Sequence, residues 1–262
     1  MNLFLKRLGG FYKYRFLMQQ LVTKDIKLKY RRSFLGYLWS ILNPLMVMVI
    51  MVIVFSSMFR SNIENFPAYL IIGQTLFNFM SESTSLAISS ITGNAALLKK
   101  TYVPKYVFTV SKVTSSFVNM VFALGAMVIV FIVCRVTPNI FYIFLPVILL
   151  QEYLFCLGLG MFLAQGSVFF RDIQHIYSAF LTAWSYLTPL FYPITLLPDA
   201  LRNVVMAVNP MYFYIAQFRQ VVLENRMPDV NLILAGFVAA GIALLVGTWS
   251  FLKTQDKFIL YI

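Results

Sequence analysis

Glu82 and Glu152 are the residues whose positions most invite chemistry. Each is a carboxylate inside a long apolar run, where an ionised side chain is costly unless it is paired, faces water or serves a proton path. Proton-coupled carriers use such carboxylates. Plainer uses are also open: Glu82 paired with Lys112, or either carboxylate lining a polar cavity. His175 follows Arg171-Asp172 at the edge of another apolar run, and that trio suits a boundary anchor better than acid–base catalysis. No G-x-S-x-G, H-E-x-x-H or G-x-x-x-x-G-K-[ST] pattern occurs, so neither a nucleophile elbow nor a phosphate-cradling loop is signalled. Cys134 and Cys156 form no CxxC pair, and neither a disulfide framework nor a metal site follows from them. If ATP drives anything here, another polypeptide must bind it.

Aromatic residues are the second chemical resource, at 17% of the chain. Tyr37, Trp39, Tyr69, Phe77, Phe79, Trp184, Tyr186, Phe191, Tyr192, Tyr212, Phe213 and Tyr214 gather near the ends of apolar runs. They suit the belt that anchors helices at a membrane interface. They also suit a conduit whose ring faces stack on sugar rings while hydroxyls bond them.

The elements that hold these residues follow from charge and hydropathy. The chain is 60% hydrophobic and 11% charged, far below the roughly 25% charge of a soluble domain. That balance describes an all-α membrane protein. The net charge of +12 comes largely from one place, since 9 of the 21 Lys and Arg lie within the first 32 residues. A basic cluster that ends where an apolar run begins marks the cytoplasmic edge of a bilayer, so the excess points to a membrane surface rather than nucleic acid. Residues 1–36 read as a cytoplasmic amphipathic helix: Tyr14, Leu17, Met18, Leu21 and Val22 share a side that Ile26 and Leu28 continue.

Six spans follow within residues 37–262: Tyr37–Phe59, Pro67–Ile91, Tyr106–Val133, Phe141–Phe169, Ile176–Tyr192 and Asn231–Leu252. Asn43-Pro44 predicts a kink in the first. Gly93-Asn94 breaks the chain after the second, and Ala95–Lys100 reads as a short helix with Asn94 as its N-cap. With both termini inside, sixteen Lys and Arg fall on the inner side and five on the outer, as the positive-inside rule requires. Residues 193–229 are apolar yet broken by Pro198 and Asn209-Pro210. The two pieces are too short to cross, so they read as outer re-entrant helices. Ala235, Ala239, Ala243 and Gly247 recur every four residues on the last span, permitting close helix approach within the subunit or to a second copy.

Four stretches together resemble the membrane subunits of type-two ABC exporters for lipid-linked polysaccharides such as O-antigen, capsule or teichoic acid. They are KYRRSFLGYLWSILNP at 29–44, GNAALLKKTYVP at 93–104, RDIQHI at 171–176, and TPLFYP at 188–193 followed by Asn209-Pro210. Val103-Pro104 stands where the family commonly has an aromatic-Pro pair. The resemblance implies a permease that forms its translocation channel as a homodimer in the cytoplasmic (inner) membrane. It implies no cofactor on this chain, with ATP and Mg on a separate cytoplasmic nucleotide-binding subunit. Within the 93–105 loop, Asn94, Ala95, Ala96, Leu97, Leu98, Lys99 and Lys100 would couple to that ATPase. Lys29, Arg31 and Arg32 are candidates for meeting a pyrophosphate-linked lipid headgroup, beside their part as a topology signal. Tyr37, Trp39, Phe77, Phe79, Tyr186, Phe191, Tyr192 and Tyr212 are the candidate channel aromatics. The alternatives are an exporter of the same type for a drug or lipid, a proton-coupled carrier built on Glu82 and Glu152, and a lipid-modifying enzyme, for which Asp172 and His175 are a thin constellation.

Overall fold

Proline and glycine-asparagine breaks cut the apolar sequence into rods, and the computed structural model shows where each rod ends. It describes residues 12–31, 35–59, 63, 65–100 and 102–261, and there is no strand among the described residues. The helices are α1 (Arg15–Tyr30), α2 (Trp39–Phe59), α3 (Phe66–Ile88), α4 (Ala95–Lys100), α5 (Tyr106–Val133), α6 (Leu145–Phe169), α7 (Ile173–Leu187), α8 (Asp199–Val208), α9 (Pro210–Val222), α10 (Val230–Thr254) and α11 (Phe258–Tyr261). A 3-10 turn at Gly36–Leu38 opens α2, and Gly36 has φ of +49°, a left-handed conformation that side-chain-bearing residues resist.

Among the described residues, four helical stretches are long and apolar enough to cross a membrane by length and composition: Gly36–Phe55, Tyr106–Val133, Ile140–Phe169 and Val230–Tyr261. The other two expected spans differ for physical reasons. Sixteen of the 23 residues of α3 are buried, among them Gln74, Thr75, Ser83 and Thr84. These four pack among neighbouring helices, and together with Asn78, Ser81, Glu82 and Ser85 they lower the hydropathy of α3. By contrast, α7 has only 15 residues, because the chain leaves the helix at Thr188.

Two apolar cores hold the rods together. The larger runs from Phe66 and Ile71 on α3 through Met120 and Met127 on α5, Phe155 on α6 and Tyr214, Ile215 and Phe218 on α9. The smaller joins Met18 of α1, Leu98 of α4, Val107 and Phe108 of α5, Met161 of α6, Phe251 of α10 and Phe258 of α11. The closest helix approach is α6 on α10. A Cβ on Gly158 would fall on the backbone of Ala243 and Leu244, and one on Gly247 would fall on the backbone of Gly158. The buried small residues of α10 are Gly236, Ala240 and Gly247. The expected stripe is therefore shifted by one residue over its first two turns, and it serves packing inside this chain.

Candidate functional site

The basic end of the bundle is tied together by two ion pairs. Lys29, in the last turn of α1, donates to the Glu82 carboxylate of α3 at 2.7 Å, and the Asn119 amide of α5 reaches the same oxygen at 3.1 Å. Lys112 on α5 meets Asp25 of α1 at 2.8 Å, and Ser115 reaches the other Asp25 oxygen at 3.4 Å. The expected pairing of Glu82 with Lys112 is thus exchanged for two pairs, both with α1. The reason is the seating of α1 against α5, which turns Asp25 inward beside Met18, Leu21 and Val22 while Leu28 is 53% exposed. The Lys29–Glu82 side chains are 44% and 33% exposed, against 24% and 22% for Lys112–Asp25. In double-mutant cycles to alanine, the first pair is expected to couple by about 0.2–1 kcal/mol and the second by more, because solvent screens it less. Thermal unfolding of the four-protein sets checks this; equal couplings would remove burial as the cause.

The short helix α4 forms as expected, but its start is built differently. The Asn94 amide donates back to the Ser90 carbonyl at 2.8 Å, at the end of the preceding helix, instead of capping α4. Leu98 is buried in the smaller core, whereas Ala96, Leu97, Lys99 and Lys100 are exposed and Ala95 is half-buried. The α4 surface thus carries one apolar anchor and a basic, exposed outer face. Lys105 fastens the following turn by donating to the Gln255 carbonyl.

Between α2, α3 and α5 lies an open cavity of about 670 Å³, with Lys29 and Glu82 among its lining. Asn43, Asn78 and Ser85 on its rim are exposed. Deeper in, the Thr75 Oγ1, Ser116 Oγ and Asn119 Oδ1 atoms are buried with no hydrogen-bond partner among the described residues. Pro44 also lines the cavity, and its missing N–H leaves the Ser40 carbonyl without its helical donor.

At the opposite end, Arg219 of α9 is buried at 8% exposure. Its guanidinium donates to the carbonyls of Pro189 at 2.8 Å, Leu190 at 3.1 Å and Tyr69 at 3.1 Å, and lies 3.3 Å from the Tyr69 ring centroid. Gly73 makes room: a Cβ there would come within 2.8 Å of an Arg219 nitrogen. Asn209 forms the second half of this hub. Its side-chain oxygen takes Trp184 Nε1 at 2.9 Å and the Met211 amide at 3.1 Å, while its nitrogen donates to Thr188 at 3.0 Å. Together these bonds hold the TPLFYP stretch against α3 and α9. Beyond them, the Asp229 carboxyl at the head of α10 is held below its usual range by hydrogen bonds from Arg226 and Gln220.

The eight candidate aromatics do not converge on one surface. Trp39 and Phe79 line the cavity, though Phe79 is 2% exposed and packs edge-on against Phe117. Phe77 is buried against Trp184, and Tyr37 sits 6.1 Å from the Phe122 ring. Phe191 stacks on Phe55, the Tyr192 hydroxyl donates to the Tyr186 carbonyl at 2.6 Å, and Tyr212 lies edge-on to Phe213. Tyr186 is 69% exposed. Arg31 is exposed, and Arg32 lies outside the described residues. Glu152 is wholly buried on α6, with neither oxygen hydrogen-bonded among the described residues. The hub at Arg219 and Asn209 is the part that sequence reasoning missed; the Asn209-Pro210 pair was its one visible signal.

Comparison with known proteins adds the family context. Residues 17–223 match the model of the ABC-2 type transporter family. The chain is 34% identical over 248 residues to an O-antigen export system permease protein of Myxococcus xanthus, covering 94% of this chain and 95% of that one. It is 26% identical to the same-named protein of Klebsiella pneumoniae, over 92% and 93% of the two chains. It is also 24% identical over 205 residues to a capsule polysaccharide export inner-membrane protein of Neisseria meningitidis, over 76% of each.

Proposed function

This chain belongs to the ABC-2 type transporter family, and from that premise we propose that it is the permease subunit of an exporter for lipid-linked polysaccharide. The observation that carries the cargo class is its near end-to-end similarity to an O-antigen export permease. Two copies would form the channel in the cytoplasmic membrane, each bound to a nucleotide-binding subunit that holds ATP and Mg. The chain itself is not an enzyme.

In this reading α3 is the second of six crossings, and α7 with the TPLFYP stretch that follows it is the fifth. With a rise of about 1.5 Å per residue, the 23-residue α3 is long enough to span a hydrocarbon core. Its polar groups are buried among other helices or line the cavity, so low hydropathy is no obstacle. The 15-residue α7 stops short, and α8 with α9 returns as a re-entrant pair at the outer end. α1 lies along the inner interface, and both termini are cytoplasmic. The exposed Arg31, with Arg32, offers positive charge to an anionic lipid headgroup, whereas Lys29 is already paired with Glu82.

The role of α4 is to receive the stroke of the ATPase. Its exposed face would sit in a groove of the nucleotide-binding subunit, and Leu98 would pass the displacement inward. The purified complex with that subunit, in lipid, tests this. Ala96→Asp with Leu97→Asp is expected to lower ATPase activity at least about tenfold, equivalent to about 1.4 kcal/mol of lost interface contact, while leaving the thermal midpoint in place. Leu98→Asp should lower both, since it also opens the core. A chain that binds no ATPase, or a double variant with unchanged activity, would sink the coupling role.

A further inference from the structure

We propose that the cavity between α2, α3 and α5 is a binding site for a neutral glycosyl unit of the exported polymer. This rests on the polysaccharide reading above and adds to it where, and by which groups, the sugar is held. Three features support the assignment. The first is size: about 670 Å³ falls within the roughly 300–1,000 Å³ of sites that hold small ligands.

The second is the state of the buried polar groups. Thr75 Oγ1, Ser116 Oγ and Asn119 Oδ1 have no partner among the described residues, and all three residues line the cavity. Buried polar atoms are normally paired, so three orphans just beneath the cavity surface, one on α3 and two on α5, call for a hydrogen-bonding occupant toward which those side chains turn. A sugar presents several hydroxyls, each both donor and acceptor, which suits a mixed wall of hydroxyl, amide and carboxylate. The Trp39 side chain, 41% exposed, offers the ring face on which the apolar side of a pyranose stacks.

The third is charge. The basic and acidic groups at the cavity, Lys29 and Glu82, already face each other at 2.7 Å, so the wall is close to neutral. A phosphate there would meet the Glu82 carboxylate. A neutral sugar meets no such penalty.

In-cell photocrosslinking of the full chain in a strain that exports its polymer tests this. p-Benzoylphenylalanine replaces Ser85 on the exposed cavity rim, or Tyr186 at the far end of α7, and adducts are stained for glycan. The Ser85 probe is expected to yield a glycan-bearing adduct. Thr75→Val with Ser116→Ala removes two unpartnered hydroxyls without adding bulk, so the protein should keep or raise its thermal midpoint. The adduct should nonetheless fall at least about tenfold, as loss of two hydrogen bonds implies. A Ser85 adduct to lipid alone, or to a second copy of the chain, overturns the proposal while a glycan adduct from Tyr186 leaves the exporter reading standing. A glycan adduct at Ser85 that the double substitution leaves intact overturns the assigned hydroxyls. Absence of glycan from both probes overturns the exporter reading and this site with it.

Discussion

Arg219→Met is expected to be the most damaging single side-chain change in the half of the molecule opposite the basic end. The guanidinium serves three backbone carbonyls and covers the Tyr69 ring from a buried position. Each buried acceptor left without a donor costs about 1–3 kcal/mol, so the loss should be on the order of several kcal/mol. Methionine fills part of the volume, which isolates the hydrogen-bonding contribution. Arg219→Lys should recover only part of it, because an ammonium lacks the planar fork that reaches carbonyls on α3 and on the TPLFYP stretch together. Thermal unfolding of the purified chain checks both variants, with export of polymer as the second readout. A midpoint for Arg219→Met close to that of the unmodified protein would mean that water takes over the three carbonyls and that Arg219 is no keystone.

Gly247→Leu should prevent α6 and α10 from closing. The Gly158 backbone already occupies the space a Cβ would need at Gly247. Even Gly247→Ala forces the helices apart and should cost about 1–3 kcal/mol or more, the usual range for overpacking. The matching control is Leu245→Ala on the outer side of α10, where the side chain is 71% exposed and the expected change is within about 0.5 kcal/mol. Protein recovered from membranes and its thermal midpoint would be compared. If Gly247→Ala behaves like the control, close approach of α6 and α10 is not what this glycine serves.

The rods themselves were legible in the sequence because apolar length and helix breakers are local signals. The short helix at Ala95–Lys100 and the breaks at Pro198 and Asn209-Pro210 could be read the same way, whereas the fifth apolar run leaves its helix at Thr188, five residues before the Pro193 that was its visible breaker. Partner choice could not. Arg219 counts in the sequence only as one of the five basic residues assigned to the outer side, because its partners are backbone carbonyls far away in the chain, and a carbonyl has no identity in a sequence. Glu82 was visible as a costly carboxylate, but its cation was settled by the rotation of α1 against α5, which a spacing rule does not fix. The small-residue stripe was found with its phase off by one residue over the first two turns, since a four-residue repeat drifts around a helix of 3.6 residues per turn.

The smaller core also has a mechanical consequence. Leu98 shares its packing with Met18, Phe108, Phe251 and Phe258, and close-packed side chains transmit strain instead of absorbing it. A push on α4 therefore cannot bend that helix alone. It is shared at once by the helix before the first crossing, the start of α5 and the last crossing with its tail, which act as a single rigid knuckle. Work delivered at one exposed turn would be divided among widely separated parts of the chain.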